Sequence, residues 1–189
     1  MTTILNKVEI TGNSLMKNQE CCVQILPSKD STGKKIRFFV EKSTEPIILD
    51  VDSVIATDHC IVLGNKSSKV MLTEHFTAAC AILGVDALDV YVSKPELPIL
   101  DGSAKIWVEL LKSAGIEKAK KQEYTISEPV SYLNGKTHLV IIPDKELSIT
   151  YAVNYDHPDL KNTWVSLDKK NLEELLRFLC IKTEIRINK

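Results

Sequence analysis

Glu74 and His75 are adjacent titratable side chains at the point where a helical spacing of apolar residues begins. A carboxylate in a first helical turn is favoured by the helix dipole, and a neutral imidazole there can offer a ring nitrogen to a metal or a proton donor. That combination suits metal-assisted hydrolysis, in which a metal acidifies a bound water and a nearby carboxylate takes the proton. On the helix wheel His75 lies about 60° from the centre of the apolar stripe, while Glu74 points well away from it. The pair has a plainer reading too, as a solvated terminal charge beside a boundary histidine, and spacing alone favours it. Of the other histidines, His59 stands beside Cys60 at an expected strand start, His138 alternates on a strand and His157 precedes Pro158 in a loop. Asp101-Gly102-Ser103 offers the short oxygens of a helix N-terminus. No Gly-rich phosphate loop and no Gly-x-Ser-x-Gly elbow occurs. Nucleotide binding by those loops and covalent-nucleophile hydrolysis are therefore disfavoured.

These residues need elements to hold them. Short β-rich runs at 8–11, 21–26, 36–40, 46–49 and 59–63, broken by turn residues, predict a mostly antiparallel meander. Leu72, Phe76, Ala79, Cys80 and Leu83 then fall at helical spacing, closed by Gly84. A strand at 88–92 leads through a Pro-bounded segment to a second helix with the stripe Ile106, Trp107, Leu110, Leu111 and Ala114, ended by Gly115. Runs at 124–133, 137–142 and 147–153 predict three more strands, the first two joined at Asn134-Gly135. A third helix is expected from Asp168, with Leu172, Leu175, Leu176 and Leu179 on one face.

The charged, unpatterned run Glu117 to Glu123 marks a boundary. It divides the chain into a first α+β domain at 1–120, a linker at 121–125 and a second α+β domain at 126–189. The second has too few elements to close a core of its own. With 24 Lys+Arg against 25 Asp+Glu in 189 residues the net charge is −1, so no basic field draws nucleic acid or anionic membrane. The five cysteines are odd in number and lack any Cys-x-x-Cys spacing, which fits a reduced interior and no self-contained zinc site. No apolar signal region opens the chain and no run is long enough to span a membrane. The expected location is the cytoplasm.

Two longer motifs carry more information than any single residue. Leu72-Thr73-Glu74-His75 is similar to the Thr-Val-Glu-His helix start of the UDP-3-O-acyl-N-acetylglucosamine deacetylases, zinc amidases of lipid A synthesis, and Pro95 to Ser103 is close to their E-x-P-I-x-D-G-S signature. Thr32-Gly33 through Phe38 and the order of elements add to the resemblance, which spans nearly the whole chain. It implies a two-domain α+β fold, each domain a sheet with helices packed at the junction. It also implies Zn2+ as cofactor with His75 as a ligand, Glu74 as general base, and Thr183 beside the tetrahedral oxyanion. By the same resemblance His59, Cys60, Lys136 and Tyr155 face the substrate, a UDP-3-O-acyl-N-acetylglucosamine.

Departures from the family pattern set a second expectation. The family's G-x-G-x-H-x-G reads here Gly12-Asn13-Ser14-Leu15-Met16-Lys17-Asn18, so Met16 replaces a histidine, and the segment Ile181-Lys182-Thr183-Glu184 matches the family's Ala-Arg-Thr-Phe poorly. The later His-Lys-x-x-x-Asp segment that supplies the other zinc ligands does not occur in the sequence. The expectation is a truncated family member, inactive alone. The alternative is a degenerate, non-catalytic remnant or binding module that needs a partner chain or an oligomer to cover its incomplete second domain.

Overall fold

The computed structural model of the chain describes residues 1–28, 35–117, 125–154, 156 and 161–168. They belong to two compact units that divide between Ala119 and Lys120. The architecture is α+β.

The first unit begins with β1 (Thr3–Ile4), β2 (Val8–Asn13), β3 (Glu20–Pro27), β4 (Ile36–Val40) and β5 (Ile47–Ile48). It continues with β6 (Val54–Ala56), β7 (Val62–Gly64), β8 (Lys69–Met71), α1 (Glu74–Leu83), β9 (Leu88–Val92), α2 (Lys105–Ser113) and β10 (Ile116–Glu117). The main sheet has the order β2-β3-β9-β4-β5, and β6-β7-β8 form a small antiparallel sheet. β1 pairs with β10, tying the first residues to the end of the unit.

The expected meander is therefore corrected. β9 enters between β3 and β4, antiparallel to the first and parallel to the second. Parallel neighbours need a long crossover, and the stretch containing α1 supplies it. Alternation explains why β9 can sit in the middle. Leu88, Val90 and Val92 are buried in the core, while on the other face Asp89 is buried against the Arg37 guanidinium through two bonds of 2.8 Å. Beyond it Phe39 and Tyr91 stack at 4.7 Å.

Both helices lie in the same core as the inner face of this sheet. Phe38 of β4 meets Phe76 of α1 edge-on at 5.7 Å, and Phe76 meets Trp107 of α2 edge-on at 5.3 Å. This aromatic chain fixes α1 between sheet and α2, so its first turn is held by packing rather than by helix propensity. Gly84 caps α1 in the left-handed region, φ 67°, as its place after the periodic residues predicts. Leu72 does not belong to the helix. It has φ 61° and packs in a second cluster with Cys60 and Val62.

The second unit contains two hairpins, β11 (Val130–Asn134) with β12 (Thr137–Ile141) and β13 (Ile149–Val153) with β14 (Thr163–Leu167). The first turns at Gly135, φ 57°, and Lys136, one residue later than expected, with Asn134 paired to Thr137. Of the first expected strand, residues 125–129 are not in a strand and β11 starts at Val130, and β14 is a strand the sequence pattern did not announce. Its Thr-Trp-Val core has β propensity but too short an alternation to stand out. The helix expected beyond Asp168 and the linker residues 121–124 lie outside the described residues. Among the described residues no helix is long and apolar enough to cross a membrane.

Candidate active site

The first turn of α1 is locked to the bend that precedes β7. Ile61 donates its N–H to Glu74 Oε2 at 3.1 Å, and its carbonyl accepts from Thr73 Oγ1 at 3.3 Å and Thr73 N–H at 3.5 Å. Thr73 is fully buried, so the helix start and the bend move as one body. This sets the bend that carries His59 and Cys60 beside the start of α1. They are not at a strand start. His59 stands in the bend with φ 68°, exposed, its Nε2 3.4 Å from Asp58 Oδ1, whereas Cys60 is buried.

Three non-glycine residues in the left-handed region stand just ahead of the site's side chains. They are His59 before Cys60, Leu72 two residues before Glu74, and Leu100 before Asp101, with φ of 68°, 61° and 54°. Such conformations cost stability and persist where surrounding structure over-determines them, commonly at functional sites.

Glu74 is half-buried, while His75 is 5% exposed and its Nδ1 has no partner among the described atoms. Burial pulls the His75 imidazole below its usual range, and the carboxylates of Glu74 and Asp101 oppose that pull without cancelling it. A neutral imidazole with an uncommitted ring nitrogen is the form in which histidine binds a metal. Beside it stands a carboxylate that can take a proton.

Asp101, expected only among the short oxygens of a helix N-terminus, also bears on the site. It shapes the turn into α2 rather than capping the helix: Asp101 Oδ1 accepts from Ser103 N–H at 3.0 Å and Oγ at 2.9 Å, and it is Ser103 Oγ that accepts from Lys105 N–H at 3.1 Å. That network also holds the Asp101 carboxylate where its charge reaches His75. Glu96, 1% exposed, was not singled out by the sequence pattern. Its Oε1 accepts from Met16 N–H at 2.6 Å, and Oε2 has no donor among the described atoms. Its membership of the signature was the available signal.

A family model for UDP-3-O-acyl N-acetylglycosamine deacetylase matches residues 1–178. The chain belongs to this LpxC family. It is 29% identical over 169 residues to the UDP-3-O-acyl-N-acetylglucosamine deacetylase of Lawsonia intracellularis, covering 88% of this chain and 56% of that protein. To the protein of the same name from Leptospira biflexa it is 30% identical over 164 residues, covering 84% and 54%. A bifunctional enzyme LpxC/FabZ of Bacteroides thetaiotaomicron is 29% identical over 170 residues, covering 88% and 37%. The chain thus spans about half the length of the LpxC proteins it matches. Of the remaining LpxC-derived expectations, Lys136 is exposed in the β11–β12 turn of the second unit, and Tyr155 and Thr183 lie outside the described residues.

Proposed function

We propose that the chain supplies one half of the active site of a zinc-dependent deacetylase acting in the cytoplasm on a UDP-3-O-acyl-N-acetylglucosamine, removing its N-acetyl group on the route to lipid A. The observation that carries this reading is the α1 start: a half-buried carboxylate and a buried imidazole, side by side, in a chain matched by the LpxC model. The orphaned Nδ1 and the depressed proton affinity of His75 suit a metal ligand. No trio of His, Cys, Asp and Glu side chains fit to hold a metal is gathered among the described residues. His75 is then one ligand of a set completed by others.

When bound, zinc supplies an acidified water and polarises the amide carbonyl. The chain's own residues do the rest. Glu74 uses one lone pair on the Ile61 N–H and keeps others on both oxygens to accept the proton of the attacking water. The Ile61 bond also fixes the carboxylate's aim, which is what positioning contributes to the rate. Asp101, anchored by Ser103, keeps a negative charge near the imidazole. On the family resemblance alone, Cys60, His59, Lys136 and Tyr155 are assigned to the substrate and Thr183 to the oxyanion.

The test joins this chain to the remaining part of the Leptospira biflexa relative, which carries the other ligands on this reading. The hybrid is expected to release acetate from UDP-3-O-acyl-N-acetylglucosamine and to stop when a chelator removes its metal. The 189-residue chain alone is expected to release none above a Glu74→Ala control. A well-folded hybrid that releases no acetate with zinc restored contradicts the proposal.

A second reading, a binding module that needs a partner, draws on the second unit. Its hairpins expose Val130, Tyr132, Leu139, Ile149, Tyr151 and Trp164. Apolar strand faces of this kind call for a cover, from a partner chain or a second copy. Size-exclusion chromatography giving a compact monomer that unfolds cooperatively counts against it.

A further inference from the structure

We infer that Glu96 is a positioning residue, whose buried carboxylate pins the tip of the Ser14–Gln19 turn and thereby seals the apolar wall beside the Glu74–His75 helix start. The inference takes that helix start as the reacting centre, and so rests on the deacetylase reading. Its test needs neither metal nor substrate, so either can fail without the other.

The base of the turn closes on itself. Ser14 donates its N–H to Gln19 O at 2.9 Å and Gln19 donates its N–H to Ser14 Oγ at 3.2 Å. The tip is held from outside, by the 2.6 Å bond from Met16 N–H to Glu96 Oε1 across 80 residues of sequence. A bond from a neutral donor to a carboxylate is charge-assisted and short, which makes it a firm anchor. Glu96 is itself fixed by its neighbours' backbone: Met71 donates its N–H to Pro95 O and Leu97 donates its N–H to Met71 O, both at 3.0 Å. Met71 ends β8 and leads through Leu72 and Thr73 to Glu74. One side chain therefore joins the N-terminal turn to the segment that delivers the catalytic pair.

The turn's other contribution is Leu15, packed with Ile99 and Met71 against Cys60, Val62 and Leu72. Cys60 is buried, although it lies one residue from the exposed His59. Leu15 packs against the cluster in which Cys60 is buried. As a pure stability element Glu96 is a poor choice, because burying a carboxylate with one oxygen lacking a donor costs more than an apolar side chain of that volume. What the carboxylate supplies, and an apolar side chain cannot, is a fixed point for Met16.

The experiment compares the parent chain with Glu96→Leu and Glu96→Gln. Met16 amide exchange is followed by NMR, and iodoacetamide labelling of each cysteine by peptide mass spectrometry, with the fully buried Cys80 as internal reference. Glu96→Leu is expected to unfold cooperatively with a melting temperature no lower than the parent's by more than a few degrees. Its Met16 exchange and Cys60 labelling should both accelerate about tenfold or more while Cys80 labelling stays unchanged, the mark of a local opening. Glu96→Gln keeps an acceptor and is expected to bring both rates back to within about threefold of the parent. Unchanged rates in a folded Glu96→Leu overturn the inference. So does a Glu96→Leu chain that no longer folds while Glu96→Gln does so with parent-like stability and unchanged rates, since Glu96 is then a stability residue. A Glu96→Gln chain that labels as fast as Glu96→Leu also overturns it.

Discussion

His75 carries a pH dependence that can be read from its surroundings. Burial lowers its folded-state pKa, so the folded chain holds a neutral imidazole where the unfolded chain, near the usual value of about 6.5, begins to bind a proton. The stabilisation linked to this group is therefore complete above about pH 6.5 and is lost as pH falls from there towards the folded value. In metal-free protein, urea midpoints measured between pH 5 and 7.5 should drop more steeply for the parent than for His75→Gln below that point. Parallel curves would remove the case for a buried neutral imidazole. In the sequence the Glu-His pair stood out only beside the E-x-P-I-x-D-G-S run, since at a helix start it reads by itself as a solvated charge next to a boundary histidine. The partners of these residues did not stand out. Glu96 finds Met16 across 80 positions, and Asp101 acts on His75 from the next helix's entry loop, separations at which sequence pattern says nothing about contact. The left-handed backbone at Leu72 and Leu100 was equally hidden, since leucine gives no signal for it.

At the scale of elements, α1 is held by its aromatic contacts with β4 and α2. Phe76 is fully buried between Phe38 and Trp107, so Phe76→Ala should cost about 3–5 kcal/mol through lost transfer energy and an unfilled cavity. Chemical denaturation would show it as a lowered midpoint, and a shift under ~1 kcal/mol would mean the helix is held by something else. Gly84 caps the same helix at φ 67°, and Gly84→Ala should cost about 1 kcal/mol, since in that conformation the Cβ of an L-residue crowds the following carbonyl oxygen. α1 and α2 were legible because their period of 3.6 survives in single sequences, as Phe76, Ala79 and Cys80 show, and Gly84 marks the end of α1. The longer strands of the main sheet were legible as well, whereas the short β1, β6, β8 and β10 were not. Strand neighbours were not: alternation tells which residues of β9 face the core, but β9 separates β3 from β4 only because α1 returns the chain to the middle of the sheet. β14 escaped because five residues between loops carry little periodic signal.

On the scale of the whole molecule, the first unit has one core shared by sheet and both helices, and β1 pairs with β10 at its two ends. Residues 1–117 should accordingly fold alone, with a single cooperative transition by circular dichroism. A non-cooperative melt would contradict that autonomy. The second unit presents two hairpins with exposed apolar strands. Its β11–β12 pairing was legible from the turn residues that join the two strands, whereas the β13–β14 pairing was not. The proposed chemistry divides the labour at one helix start, Glu74 for the proton and His75 for the metal. The most direct test measures kcat and zinc content together in the hybrid with the Leptospira biflexa remainder, comparing the parent with Glu74→Gln and His75→Ala. Glu74→Gln should keep its zinc and lose about a hundredfold or more in kcat, whereas His75→Ala should lose the zinc itself. Parent-like kcat in Glu74→Gln, or full zinc content in His75→Ala, would contradict it.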